Sequence, residues 1–335
     1  MGSEELIRSG CAYCNSSSNL NPCKGGCMVA LYCSQEHQKA DEEEHKPKCQ
    51  AIHEQRLEHL FVRNKIIEHV GPSGRTLMIT ATKAYLTNKA WLMEYLSSLQ
   101  ELRMALSQVH TRQAIEQEME LVEKWHGSQT IAEFVSGYMR VTPYLIRLDR
   151  DDECRPLYLD GLNDLRVHRD HTYRTPGIHI LGLIQGCLLK ILLRVRVAVD
   201  LVSLKMAAQV AGPKVPTEIL DVIRREVVTS PLVWKKRPVL EASNHDREIG
   251  ELHKDIQLMA GHVHSHNQYL WRSMFPDESF GKALDDLEME KPQEVSEAEG
   301  TVEWLQKAWS ESPGALDYLL GVLRKTILTD GFETR

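Results

Sequence analysis

Cys11-Ala12-Tyr13-Cys14, Cys23-Lys24-Gly25-Gly26-Cys27, Tyr32-Cys33-Ser34-Gln35-Glu36-His37-Gln38 and His45-Lys46-Pro47-Lys48-Cys49 decide how this chain is read. Six of its eight cysteines lie between residues 11 and 49, together with two histidines at ligand-like spacing. The donors form four pairs: Cys11/Cys14, Cys23/Cys27, Cys33/His37 and His45/Cys49. The residues between partners number two, three, three and three, the short separations of structural zinc sites. Four donors make one tetrahedral site, so eight make two. Cys33 and His37 are four apart and share one face of a helical turn, and His45 and Cys49 do the same on the next. That arrangement needs no sheet. Spacing alone leaves open whether the pairs are shared sequentially or interleaved.

Disulfides would require an oxidising compartment, yet residues 1–10 are polar and acidic with no apolar signal core. Zinc is therefore the expected partner of these thiols. Each site would hold three thiolates and one neutral imidazole, with a binding free energy of roughly 10–16 kcal/mol coupled to folding. The segment is expected to be unfolded without metal. Protein fills all four positions round each ion, so the zinc is expected to be structural, with no place for water or substrate.

These residues resemble the MYND-type zinc fingers. The likeness rests on the Cys-x2-Cys opening, the Tyr32-Cys33-Ser34 step, Gln38, Asp41 and the His45-Lys46-x2-Cys49 closure, all in the family's order. The resemblance implies two Zn2+ ions bound in interleaved fashion, one by Cys11, Cys14, Cys33 and His37, the other by Cys23, Cys27, His45 and Cys49. It further implies protein partners, proline-rich peptide segments among them, and a role in transcriptional or developmental regulation. Two positions depart from the family. His37 stands where cysteine is usual, and imidazole is an equally good zinc ligand. Glu42 stands where many members carry a tryptophan that helps to form the peptide groove.

With 335 residues, a finger over 1–52 leaves 53–335 for a domain large enough to bury a substantial core. Net charge is −7, and residues 1–52 hold seven acidic against five basic side chains, so a nucleic-acid surface is not expected. The longest apolar run, 181–204, is interrupted by Gln185, Lys190, Arg194, Arg196 and Asp200, and reads as a core helix rather than a membrane span. An intracellular protein, in cytoplasm or nucleus, is expected.

Apolar spacing predicts helices over 51–69, 77–109, 112–126, 130–140, 178–211, 216–230 and 246–274, with a connector through Pro231 and Pro238. Residues 142–159 read as a helical hairpin turning at Asp149–Cys154. The acidic stretch 288–300 reads as a mobile loop, followed by a helix capped by Thr301 and a last helix after Pro313-Gly314. The fold class is thus mainly α: a small two-zinc finger and an all-helical domain, open to tetratricopeptide-like stacking although no fixed repeat is found. The phrases around Asp149–Cys154 and Trp309–Ala315 also resemble a fungal-type group in which a MYND finger precedes a helical body.

No catalytic constellation is found. His262 and His266 share a helix face but lack a carboxylate at a known spacing, and His168 and His171 lie in a polar loop. Cys154 and Cys187 read as small buried hydrophobes. The enzymatic alternative is a SET-type lysine methyltransferase, which would need strands around an Asn-His motif. Asn244-His245 instead precedes a helix, so a non-enzymatic protein is expected. A DNA-reading zinc module is the other alternative, opposed by the acidic run Asp41–Glu44.

Overall fold

The computed structural model describes residues 7–70, 89–125, 140–154, 178–211, 215–242, 244–276 and 293–327. The predicted turn at 71–74, the helix at 130–139, the second arm of the hairpin through Leu157 and Leu159, and His168 and His171 lie outside these residues. The chain is mainly helical and forms two compact units, Met1–Tyr144 and Leu145–Arg335.

In the first unit, β1 (Asn21–Pro22) pairs antiparallel with β2 (Leu31–Tyr32). The sequence reading required no sheet. The ribbon forms because the chain must reverse between Cys23 and Cys27, and left-handed residues at Gly26 (φ +80°) and Met28 (φ +60°) make that reversal. The Cys23 amide then meets the Ala30 carbonyl at 2.9 Å.

Helix α1 (Gln35–Ala40) starts where the Ser34 hydroxyl accepts the His37 amide, a standard N-cap. Helix α2 (Glu42–Val70) follows at once, with Glu42, Glu43 and Glu44 at its electropositive start. At their junction the buried Tyr32 hydroxyl donates to Asp41 at 2.6 Å.

Beyond the ligands, α2 buries Ile52, Val62 and Ile66 against α3 (Lys89–Leu106), which in turn packs on α4 (Arg112–Trp125). A division after residue 52 follows the ligand motif, but the core does not stop there. Cys11, Cys27, Val29, Tyr32 and Ile52 share one apolar cluster with Leu102, Leu106, Val109 and Ala114. Burying each such leucine stabilises by about 1.5–3 kcal/mol. Thr111 reinforces the seam, its hydroxyl donating to the Val29 carbonyl at 2.6 Å, while Arg8 exchanges backbone hydrogen bonds with His110 and Arg112.

The second unit is organised on α5 (Ile178–Ala211). From Leu188 to Ala198 almost every apolar side chain of this helix is buried, as expected of a core helix. Among the described residues no helix is long and apolar enough to cross a membrane. Helix α6 (Thr217–Glu226) begins after Pro216, which caps it, and ends at Glu226, short of the expected 230.

The connector through Pro231 and Pro238 contains two short helices, α7 (Pro231–Trp234) and α8 (Arg237–Glu241), each with proline in its first turn, where a missing amide costs nothing. Helix α9 (Asp246–His266) was expected to reach Met274. It ends at Asn267, whose side chain accepts the Tyr269 amide at 3.0 Å, and α10 (Leu270–Met274) restarts with Trp271 fully buried.

The stretch 288–300, expected as a loop from its acidity, is helical from Gln293 onward: α11 spans Gln293–Ser310. Glu299 and Glu303 are exposed on a helix whose other side buries Val295, Ala298, Thr301 and Leu305, so Thr301 lies within the helix rather than at its cap. Helix α12 (Ala315–Ile327), the last of the described elements, follows after Gly314 turns the chain at φ +69°.

The two phrases singled out at Asp149–Cys154 and Trp309–Ala315 meet in this unit. Arg147 donates to Glu311 through Nε and Nη2, at 2.5 and 3.0 Å. Arg196 of α5 reaches Asp151 (2.9 Å), Asp149 (2.7 Å) and the Ser312 hydroxyl (3.0 Å). Ser230 adds a bond to Asp151 at 2.7 Å. Arg196 and Asp151 are almost wholly buried, so each neutralises a charge that would otherwise be costly there.

Candidate metal centre

The first group of donors is Cys11, Cys14, Cys33 and His37, the second Cys23, Cys27, His45 and Cys49. Within each, one ligand atom per residue lies within 4.8 Å of every other. The sharing is interleaved, because the ribbon brings the turn at Cys11 against Cys33 and the loop at Cys23 against the start of α2. In site 1 the His37 Nδ1 lies 3.0 Å from the Cys33 sulfur and 3.8 Å from that of Cys11, with Cys14 and Cys33 3.7 Å apart. In site 2 the His45 Nε2 lies 3.4 Å from Cys27, and Cys23 lies 3.8 Å from Cys49.

The thiols are set against one another in a way that a divalent cation resolves. Burial pushes the Cys23 thiol up to about 12, and the charges of Cys27 and Cys49 add to this against the opposing Gly25 amide. Burial also opposes ionisation of Cys27, but the His45 ring and the Val29 and Ala30 amides outweigh it and bring it down to about 6. At Cys11 burial is likewise outweighed, by the backbone amides of Cys14, Cys33 and Tyr13, with a value of about 6. Some sulfurs are thus prepared to ionise while their neighbours cannot follow unless positive charge arrives. Three thiolates and one imidazole in tetrahedral reach fit Zn2+, with no ligand position left over.

Residues 11–49 match the family described as MYND finger. This segment is a MYND finger. Its two sites fit the two zinc ions of such a finger, and the module is one that mediates protein–protein interactions. The match is confined to this segment of the 335 residues, and no curated protein or solved structure matches the chain.

The finger also uses residues that ligand spacing does not reveal. The Gly25 amide donates to the Cys23 sulfur at 3.3 Å, and the Gln38 side-chain amide approaches it at 3.8 Å. Arg56, two turns beyond Cys49 on α2, sits in the field of Cys27 and Cys49 and offsets the net negative charge of site 2. The Gly25-Gly26 pair between two cysteines was the one visible signal of a tight approach to metal. Arg56 gave none, because its role depends on where α2 runs.

Other candidates remain apart. Among the described residues, only the two finger clusters bring three or more Cys, His, Asp or Glu ligand atoms together, and His262, His264 and His266 are not among them. The Asn244 side chain accepts the Asp246 amide at 2.7 Å, an Asx turn that leads into α9. Cys154 and Cys187 are buried.

Proposed function

We propose that this protein is a non-enzymatic interaction protein whose MYND finger receives a segment of a partner protein. Protein donors saturate both zinc sites, and beside site 2 opens a groove of about 770 Å3, lined by Gln35, Gln38, Lys39, Glu42, Lys46 and His53 among others. That groove carries the reading. Among the described residues no Trp, Tyr or Phe lines it, and Glu42 stands where the family carries an aromatic side chain.

The outward face of α2 continues from Glu42, Lys46 and His53 to exposed Leu57, Leu60 and Phe61 at helical spacing, surface suited to apolar side chains of a partner. The resemblance names proline-rich segments as ligands and gene regulation as the setting. Zinc-bound thiolates suit a reducing compartment, hence the cytoplasm or nucleus. A membrane or nucleic acid has no part in this reading.

Fluorescence polarisation of a proline-rich peptide array against the zinc-loaded full chain tests it. Gln38→Ala and Glu42→Ala are expected to weaken the peptides that bind, with both zincs retained. Failure of every peptide to bind, or binding untouched by both substitutions, would remove the groove from this role. Saturable binding of S-adenosylmethionine in a calorimeter would return the chain to the methyltransferase alternative.

A further inference from the structure

The two zinc sites differ in how far they are shielded. In site 2 every ligand is buried: Cys27 is 0% exposed, Cys49 6%, Cys23 7% and His45 8%. Gly25 also lies against the Cys49 sulfur so tightly that no side chain fits between. Site 1 has one buried ligand, Cys11, whereas Cys33 and His37 are half-buried and Cys14 is exposed. Its outer edge is therefore the Cys14–Cys33 pair, two sulfurs 3.7 Å apart with solvent on one side.

We infer that this pair is a redox-modification site: hydrogen peroxide converts Cys14 and Cys33 to a disulfide, and site 1 gives up its zinc while site 2 keeps its own. Zinc holds both sulfurs as thiolates, the nucleophilic form. The Cys14 thiolate attacks one peroxide oxygen, the O–O bond breaks, and hydroxide leaves, forming a sulfenic acid at Cys14. The Cys33 thiolate then attacks that sulfur, forming the S–S bond and expelling a second hydroxide. Two thiolates are oxidised by two electrons in all and one peroxide is reduced. The sulfurs close to about 2.05 Å. Only Cys11 and His37 remain for the ion, which departs as Zn2+.

Backbone contacts keep the change local. The turn at Cys11 is closed by its own amide on the Ser16 carbonyl (2.8 Å) and by Asn15 on the Cys11 carbonyl (2.7 Å). The Ala12 amide holds the turn to Leu31 of β2 at 2.7 Å. With site 2 still loaded, these bonds remain to hold the turn in place. A thiol reductant with added zinc therefore restores site 1.

The test uses the zinc-loaded full chain, limiting hydrogen peroxide, a colorimetric chelator for released zinc, and peptide mapping without reduction. One zinc per chain is expected to leave, with a Cys14–Cys33 disulfide, and the second to follow roughly tenfold more slowly or not at all, as thiolate exposure dictates. Cys14→His supplies a fourth ligand but no second outer sulfur, and this variant is expected to bind two zincs and to keep both under the same peroxide. Simultaneous loss of both ions, a first disulfide within Cys23, Cys27 and Cys49, or wild-type release from Cys14→His would each overturn the inference.

Discussion

Gly25 lies so close to Cys49 that a Cβ carbon placed on it would stand 2.5 Å from the Cys49 sulfur, well inside contact distance. The contact is made by the loop between two ligands, Cys23 and Cys27, against a ligand of α2. Gly25→Ala must therefore move either the loop or the sulfur. The substitution is expected to cost one of the two zinc ions while leaving the other, read as zinc per chain by elemental analysis after purification.

Zinc removal should loosen more than the finger. Cys11, Cys27, Val29 and Ile52 share their cluster with Leu102, Leu106, Val109 and Ala114, so the collapse of the ligand loops exposes the facing sides of α3 and α4. Hydrogen exchange of the full chain with and without a strong chelator is expected to show lost protection at 99–115 as well as at 11–49. Protection at 99–115 that is unchanged by the chelator would mean that these helices do not depend on the finger.

Tyr32→Phe keeps the ring and removes only the hydroxyl that donates to Asp41 at 2.6 Å. The Tyr32 hydroxyl is held protonated, its ionisation driven up by burial and by the Asp41 carboxylate. Loss of this hydrogen bond to an ionised acceptor is expected to destabilise by about 1.5–3 kcal/mol. Two zincs should remain bound, and the chelator concentration needed to strip them should fall.

Arg196→Ala leaves Asp151 buried without its cation, although burial already pushes that carboxyl up from its ordinary range against the pull of Arg196. Breaking one side of a buried pair costs about 3–5 kcal/mol. A urea titration of the full chain, followed by fluorescence of the buried Trp271 and Trp309, should show a much earlier transition. Lys235→Ala, which breaks the exposed contact with Asp152, should change that transition by less than about 1 kcal/mol.

Burial lowers the pKa of His253, with Lys325 adding to the effect, and burial lowers that of His264. The folded chain therefore resists protons that the unfolded chain accepts. Their stability is complete above the unfolded value of about 6.5 and is lost as pH falls from there toward the lower folded values. The thermal midpoint is expected to drop between pH 7.5 and 5.5. The drop should be smaller in the double variant His253→Gln/His264→Gln, compared at pH values where zinc content is unchanged.

Much of this was legible because it is local. Ligand spacing is covalent distance along the chain, and a Cys or His four residues from another reaches the same ion from one helical turn whatever surrounds it. The core helix at 178–211 could likewise be read at its observed bounds, Ile178–Ala211, since its apolar side chains exceed what a partly exposed helix carries. Composition misled where it was read without a partner surface. The acidic run at 293–300 looked unfit for a core, yet Val295 and Ala298 need only one covered side to hold it helical. The break at Asn267 was hidden within continuous helical spacing, because one side-chain hydrogen bond ends α9 there.

By itself, then, the sequence determined the eight-donor set that fits two zinc ions and the helical class, each a matter of residue type and short separation. Tertiary structure alone decided that Gly25 presses on the Cys49 sulfur of site 2 and that Cys14 is left exposed in site 1. It also decided that the finger shares its core with α3 and α4, and that Arg147 and Arg196 reach Glu311 and Ser312 across more than a hundred residues. These depend on which surfaces come together when the chain folds back, and no spacing along it encodes such distances.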